Sequence, residues 1–418
     1  MTAPIPSLAL LPPELLSRIF LTSSLSTPSP SCPSYDESLR LVPSQIPISR
    51  ALVPFTRANA YASIVLRGPR AVERLARTLQ GREGLGALIR RVELREGKGG
   101  MWSAEELRRM FDCLDGVEQV ELNLEEEGLL VVMSEVVLTS PAFASSSAGV
   151  KLILAPVDEA LSFATLAHLS ATKGVKEVEI RGKMRLKSEG LSEGIFAERG
   201  GTAQGSAAVE RLVIEAEPHA DGFTPLLAAL PCLKSLTLKS GTTDVAQIFA
   251  ASVIPEPVRE GLEDIEFSSA GYLSRELGTA FAACPSLRRL SLRSSALVLT
   301  PEFLLSLASL PLEILQLCGP LAHGGRADET LELLADWLES LTITGGCEAL
   351  GRVELDLPSQ PLKRVRGWCT AAGGSEGRCA MGNLATQLCR LALVAEKKGI
   401  ELGGSVSELL PLPEKTEE

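Results

Sequence analysis

The side chains that could ligate a metal or act as nucleophile or base are few and scattered. The three histidines stand apart: His168 after "FATLA" in a helical stretch, His219 in an acidic loop after a strand, His323 in a Gly-rich turn. Ser-His-Asp chemistry needs three groups brought together, and no G-x-S-x-G elbow is present. Each histidine therefore reads as a surface or structural residue. The nine cysteines (Cys32, Cys113, Cys232, Cys284, Cys318, Cys347, Cys369, Cys379, Cys389) form no C-x-x-C pair and have no histidine at metal spacing. They read as small hydrophobes at the edges of a repeated unit. Glu125–Glu127 is a solvated turn, and no D-x-D-x-D-G calcium loop occurs. These residues predict a non-enzyme with no metal and no cofactor.

Composition bounds the rest. Apolar residues make up 45% of 418, aromatics only 4%. That balance favours helices and short aliphatic strands. A net charge of −11 argues against a nucleic-acid-binding surface. There is no run of about 18 apolar residues, the length a membrane span needs. Scattered cysteines, no N-x-S/T acceptor and no basic n-region predict a cytoplasmic or nuclear setting.

What must position any functional surface is a repeat: aliphatic-x-x-aliphatic-x-aliphatic. Its copies start at Ile89, Val117, Val175, Val209, Leu233, Leu262, Leu287, Leu312 and Leu350, with a degraded copy at Gly149. The gaps run from 24 to 38 residues. The last three positions alternate with period two, as in a strand with one buried face. Helical stripes lie between: Leu107/Met110/Phe111/Leu114 behind a Ser103-x-x-Glu106 capping box, Leu273/Leu277/Ala280/Phe281, Phe303/Leu304/Leu307/Leu310 after Thr300-Pro301, and Leu331/Leu334/Leu338/Leu341.

Strand then helix at this period predicts an α/β fold, a right-handed leucine-rich-repeat solenoid or horseshoe. The rival is a parallel α/β domain, which also alternates strand and helix. No G-x-G-x-x-G or P-loop follows a strand; Gly81, Gly84 and Gly86 precede one. Gly241, Ser295 and Pro320 stand where a regular repeat carries Asn or Cys, so an irregular solenoid is expected. "LPCLKSLTL" (230–238) and "CPSLRRLSL" (284–292) resemble the Cys-containing repeats of F-box/leucine-rich-repeat proteins, in which Cys closes the helix before the next strand.

Residues flanking the second aliphatic point away from the core. They are Arg91/Glu93, Gln119/Glu121, Glu177/Glu179, Arg211/Val213, Ser235/Thr237, Asp264/Glu266, Arg289/Ser291, Ile314/Gln316 and Arg352/Glu354. Seven are acidic and four basic, with Glu93, Glu121, Glu177 and Glu179 concentrated in the first half. This concave face predicts a protein partner of basic character; the alternative is a merely solvated face. A phosphopeptide reader would want an arginine cluster. Arg288, Arg289 and Arg293 lie near one strand but alternate between faces.

At the N-terminus, "LLPPELLSRIFLTSS" (10–24) carries two i, i+4 rows, Leu15/Ile19 and Leu16/Phe20. "ISRALVPFTRANAYASIVLRGPRAVERLARTL" (48–79) follows it. Together they resemble the F-box-like N-terminus of fungal leucine-rich-repeat proteins. "GLGALIRRVEL" (84–94) resembles the first repeat strand of that group, and "LCRLALVAEKKGIEL" (388–402) its closing helix and strand. The resemblance implies docking of a Skp-type adaptor of a cullin–RING ubiquitin ligase. Carried over, the contact would use Leu11, Pro12, Glu14, Leu15, Ile19 and Phe20, extended by Ile48, Leu52 and Phe55. The sequence departs from the pattern by a Ser/Pro-rich insertion at 22–36, by Pro43 and Pro47 in the second helix, and by lacking a Trp in the third. The alternative is that these helices only cap the solenoid's open end.

The expected organisation is an F-box-like module over 1–70, repeats over 71–360, and a cap with a disordered tail over 361–418. The expected function is substrate recognition for an SCF-type ubiquitin ligase. The alternative is a protein-binding scaffold with no ubiquitin role.

Overall fold

The computed structural model describes residues 61–82, 84–95, 103–123, 136, 150–154, 175–181, 209–215, 220–239, 245–268, 273–293, 298–318, 327–344, 349–356 and 383–409. The chain divides into two compact units, residues 1–161 with 168–184, and 162–167 with 185–418.

Every copy of the aliphatic motif ends in a strand. In the first unit these are β2 (Arg91–Arg95), β3 (Gln119–Asn123), β4 (Val150–Leu154) and β5 (Val175–Ile180). They follow an earlier strand, β1 (Ser63–Arg67). Adjacent strands pair parallel and in chain order, Ser63 with Arg91, Arg91 with Gln119, Gln119 with Lys151, and Lys151 with Glu177. The second unit repeats the scheme with β6 (Arg211–Glu215), β7 (Ser235–Lys239), β8 (Asp264–Phe267), β9 (Arg289–Arg293), β10 (Ile314–Cys318), β11 (Arg352–Asp356) and β12 (Glu401–Gly403). There Arg211, Ser235, Asp264, Arg289, Ile314, Arg352 and Glu401 stand side by side.

This is a leucine-rich-repeat fold. A doubly wound α/β domain reverses its strand order and covers both sheet faces. Here neighbours in space are neighbours in sequence, and the described helices pack under one face. Val92, Leu94, Val120 and Leu122 are fully buried there, over Leu107, Met110 and Phe111 of a helix. Each such side chain contributes roughly 1.5–3 kcal/mol by leaving water.

The described helices of the first unit are α1 (Pro69–Gln80) and α2 (Ala104–Phe111). Those of the second are α3 (Ala220–Ala228), α4 (Val245–Ala251), α5 (Glu256–Gly261), α6 (Arg275–Ala282), α7 (Pro301–Leu307), α8 (Ala327–Thr344) and α9 (Asn383–Lys397). Among the described residues three starts are capped by side chains: Ser103 Oγ accepts from Glu106 N at 3.3 Å, Ser274 Oγ from Leu277 N at 3.3 Å, and Thr300 Oγ1 from Phe303 N at 3.2 Å. Thr300 also donates to Leu273 O at 3.1 Å, tying α7 to the segment that precedes α6. Beneath β8, Phe249, Phe267 and Phe281 pack with centroids 5.2–5.8 Å apart, and Phe303 lies 6.1 Å from Phe281.

A backbone device recurs at the strand starts. The carbonyl just before a strand accepts two N–H groups from the next repeat. Arg90 O takes Glu118 N and Gln119 N at 2.7 and 3.0 Å, and Glu210 O, Lys234 O, Glu263 O, Arg288 O and Glu313 O each do the same. Main-chain bonds thus tie each of these repeats to the next at the strand start. Gly241, Ser295 and Pro320 lie outside the described residues. Two glycines serve the turns: Gly68 leaves β1 with φ 77°, and a Cβ on Gly86 would lie 1.8 Å from Cys113 O.

The sheet begins one strand earlier than the motif indicates, because β1 falls within the stretch assigned to the N-terminal module. The closing helix and strand stand as α9 and β12. The proposed adaptor contacts, Leu11 to Phe20 with Ile48, Leu52 and Phe55, lie outside the described residues, as do the insertion at 22–36 and the tail from 410.

Candidate protein-interaction face

The strands turn their second face away from the helices, and on it the side chains form rows. The first row of the first unit runs Ser63, Arg91, Gln119, Lys151, Glu177, and the middle row Val65, Glu93, Glu121, Ile153, Glu179. A third row, Arg67, Arg95, Asn123, follows two residues further on, and Arg181 lies just beyond β5. Strand spacing sets neighbours in a row roughly 4.8 Å apart, and alternate residues roughly 6.6 Å apart along a strand.

The middle-row carboxylates are buried and paired. Glu121 Oε2 lies 2.6 Å from Arg91 Nη2 and 3.6 Å from Arg181 Nη1. Glu93 pairs with Arg95, and Glu179 with both Lys151 and Arg181. Lys151 Nζ also reaches Glu177 at 2.6 Å. Burial by itself would raise the Glu179 pKa, but hydrogen bonds from Lys151 and Arg181 outweigh it and hold the carboxyl below its usual range. The acids concentrated in this half are therefore neutralised within the face. Their bases come partly from outside the residues named from the sequence: Arg95 and Arg181 lie two residues past the second flank, and Lys151 flanks the second aliphatic of the degraded copy at Gly149.

In the second unit the first row is Arg211, Ser235, Asp264, Arg289, Ile314, Arg352, Glu401. The middle row is Val213, Thr237, Glu266, Ser291, Gln316, Glu354, Gly403. A chain of hydrogen bonds crosses the middle row: Ser291 Oγ to Gln316 Oε1 at 2.9 Å, then Gln316 Nε2 to Glu354 Oε2 at 2.8 Å. Arg352 Nε sits 2.7 Å from Glu354 Oε1. Arg289 and Arg293 share this face instead of alternating, because they are four residues apart on one strand. They approach Asp264 at 3.9 Å and Glu266 at 3.4 Å. Arg288 precedes the strand and pairs with Glu313 at 2.8 Å. Burial raises the Asp264 pKa against the opposing pull of Arg289 and Arg211. A shallow groove of about 350 Å³ opens along the starts of β7–β10, lined by Lys234/Ser235, Glu263/Asp264, Arg288/Arg289 and Glu313/Ile314.

All the face residues named from the sequence thus stand on the open face, grouped by unit. The arrangement presents charged and hydrogen-bonding groups in register on a broad surface. Among the described residues no group of three or more His, Cys, Asp or Glu could hold a metal ion. No described helix is long and apolar enough to cross a membrane. His168, His219 and His323 lie outside the described residues.

The cysteines divide. Cys284 is buried at the end of α6, donates to Ala280 O at 3.6 Å, and burial pushes its thiol up to about 11. Cys318, buried at the end of β10, is pushed up to about 12 by burial and by the hydrogen bond and charge of Asp356. Both are poor nucleophiles. Cys232 and Cys389 are exposed, so the expectation of small buried hydrophobes fails for them. Cys232 stands one residue before its motif and Cys284 three before; the position matching Cys284 in the β7 repeat is the buried Leu230.

Neither protein-family models nor curated protein sequences give a match to this chain. Among solved structures, it is similar to a leucine-rich-repeat-containing protein, LegL7, from Legionella pneumophila. The identity is 14% and the TM-score 0.38, over 84% of this chain and 92% of that one. It is also similar to the yeast complex of Rad7 and Elc1, at 12% identity and TM-score 0.33, over 82% of this chain and 78% of that one. At such scores the fold assignment rests on the strand order and register instead.

Proposed function

We propose that this chain is a non-enzymatic protein-recognition scaffold that binds a protein on the open sheet face. The observation that carries this reading is the face itself. Parallel strands with one side packed on helices leave the other lined with charged and amide side chains in register, and the described helices do not cover it. A broad surface of this kind suits another protein better than a small molecule, which favours an enclosed apolar pocket.

The test fills the groove. Ser235→Arg with Ile314→Arg places two long side chains on the first row, at positions that are only half-buried. Glu332→Gln with Glu396→Gln makes an equal charge change of +2 on the helical side, where both residues are exposed. Affinity purification from cells should lose its specific partners with the first pair and keep them with the second. Retention of all partners by both would refute binding at this groove.

The scaffold's proposed role is substrate recognition in an SCF-type ubiquitin ligase. Support comes from the F-box-like residues Leu11–Phe20 and Ile48–Phe55, whose apolar rows suit a Skp-type adaptor. Pull-down with that adaptor should retain the wild type and lose Leu15→Asp/Ile19→Asp. Equal retention, or none, leaves the scaffold without the ligase role.

A further inference from the structure

We propose that the open face of β1–β5 takes an acidic polypeptide segment, not a basic one. This deepens the reading above and rests on it. Read from strand flanks alone, this half of the face is acidic. Exposure reverses that reading. The side chains of Glu93, Glu121 and Glu179 are only 2%, 8% and 9% exposed. Those of Arg91, Arg95, Lys151 and Arg181 are 32%, 27%, 28% and 40% exposed. An approaching chain therefore meets cations, with the carboxylates beneath them as supports.

The layout is specific. Arg91 and Lys151 stand in the first row, Arg67 and Arg95 in the third, with Arg181 beside it. The rows are four residues apart along the strands, roughly 13 Å. Arg67 is exposed and extends the third row to the edge strand. Glu177 is the one carboxylate among the described residues of this face exposed beyond a tenth, at 21%, and Lys151 pairs with it. Among the described residues of this face, five cations stand against four carboxylates, in a chain whose net charge is −11.

An extended segment lying along the strands reaches both cationic rows with acidic residues four apart, and sets small residues over the floor between. A nucleic acid would instead crowd phosphates over the anionic middle row, which disfavours it.

The experiment measures fluorescence anisotropy on the full chain with three labelled probes. They are a 12-residue peptide with Glu at every fourth position and Ser elsewhere, its Lys/Ser counterpart, and an oligothymidylate of matching charge. The acidic peptide should bind at low salt and weaken as salt screens the attraction, with a screening length of about 10 Å at 0.1 M. The basic peptide should not bind. Arg67→Glu, at an exposed site, should weaken the acidic peptide about three- to fivefold. Arg91→Gln/Glu121→Gln removes both members of a half-buried pair, leaves Arg181 its contact with Glu179, and should weaken it as well. Preference for the basic peptide, no acidic-peptide binding, no effect of Arg67→Glu, or tighter binding of the oligonucleotide would each overturn the proposal. If groove filling at Ser235 and Ile314 abolishes partner capture while the acidic peptide does not bind, only the partner class fails. If capture survives groove filling and the Arg67→Glu and Arg91→Gln/Glu121→Gln changes alike, the face reading fails with it.

Discussion

Lys151→Met tests whether the buried carboxylates hold the face together or merely decorate it. Lys151 sits between Glu177 at 2.6 Å and the nearly buried Glu179. Removing one partner of a fully buried pair costs about 3–5 kcal/mol, because the other charge is left without compensation. Two features reduce that here: Arg181 still pairs with Glu179, and the Lys151 side chain is 28% exposed. Surface pairs contribute only about 0–1 kcal/mol. The loss at pH 7 should therefore fall between, at roughly 1–2 kcal/mol. The pH dependence carries the sign. The folded pKa of Glu179 is lowered, so its stabilisation is present above the unfolded value, about 4.3, and is lost as pH falls through the folded one. Without Lys151 the burial penalty is less opposed and the folded pKa rises. The gap between wild type and variant should thus shrink between pH 7 and pH 4. Urea unfolding followed by circular dichroism at both pH values measures it. Adding Glu179→Gln to Lys151→Met should recover part of the loss at pH 7. A gap below about 0.5 kcal/mol at pH 7, or one that does not change with pH, would refute the reasoning.

Two further perturbations address the framework. Phe281→Ala removes the ring that meets Phe249, Phe267 and Phe303, and should cost about 3–5 kcal/mol by thermal or urea unfolding. Gly86→Ala would drive a Cβ to 1.8 Å from Cys113 O, and backbone must shift to relieve it. It should destabilise by at least about 1–3 kcal/mol and raise amide exchange in β2 and β3.

The aliphatic spacing carried most of the fold. Period two at Val92/Leu94 or Leu290/Leu292 admits only a strand buried on one side, and the stripes between admit only helices. Strand β1 escaped because Tyr61 occupies the motif's first position, where an aliphatic was sought, although Ile64 and Leu66 keep its other two. The face was legible in its first two rows, since alternation dictates which residues point outward. The third row lies two residues past the flanks of the second aliphatic, at Arg95 and Arg293, where the motif no longer marks a strand. The residue types at the strand flanks give the charge sign, but accessibility depends on side-chain length. A short Glu in the middle row sinks between neighbouring strands, while Arg and Lys reach over it to water. The device at the strand starts is main chain and leaves no trace in residue identity.

The central claim is that a protein partner engages the open sheet face. Photo-crosslinking in cells tests it most directly, with a photoreactive residue placed singly at Gln119 or Ile314 on the open face and at Arg108 or Glu332 on the helical side. Defined protein adducts at Gln119 or Ile314 and none at Arg108 or Glu332 are the predicted result. Adducts confined to the helical positions would contradict it.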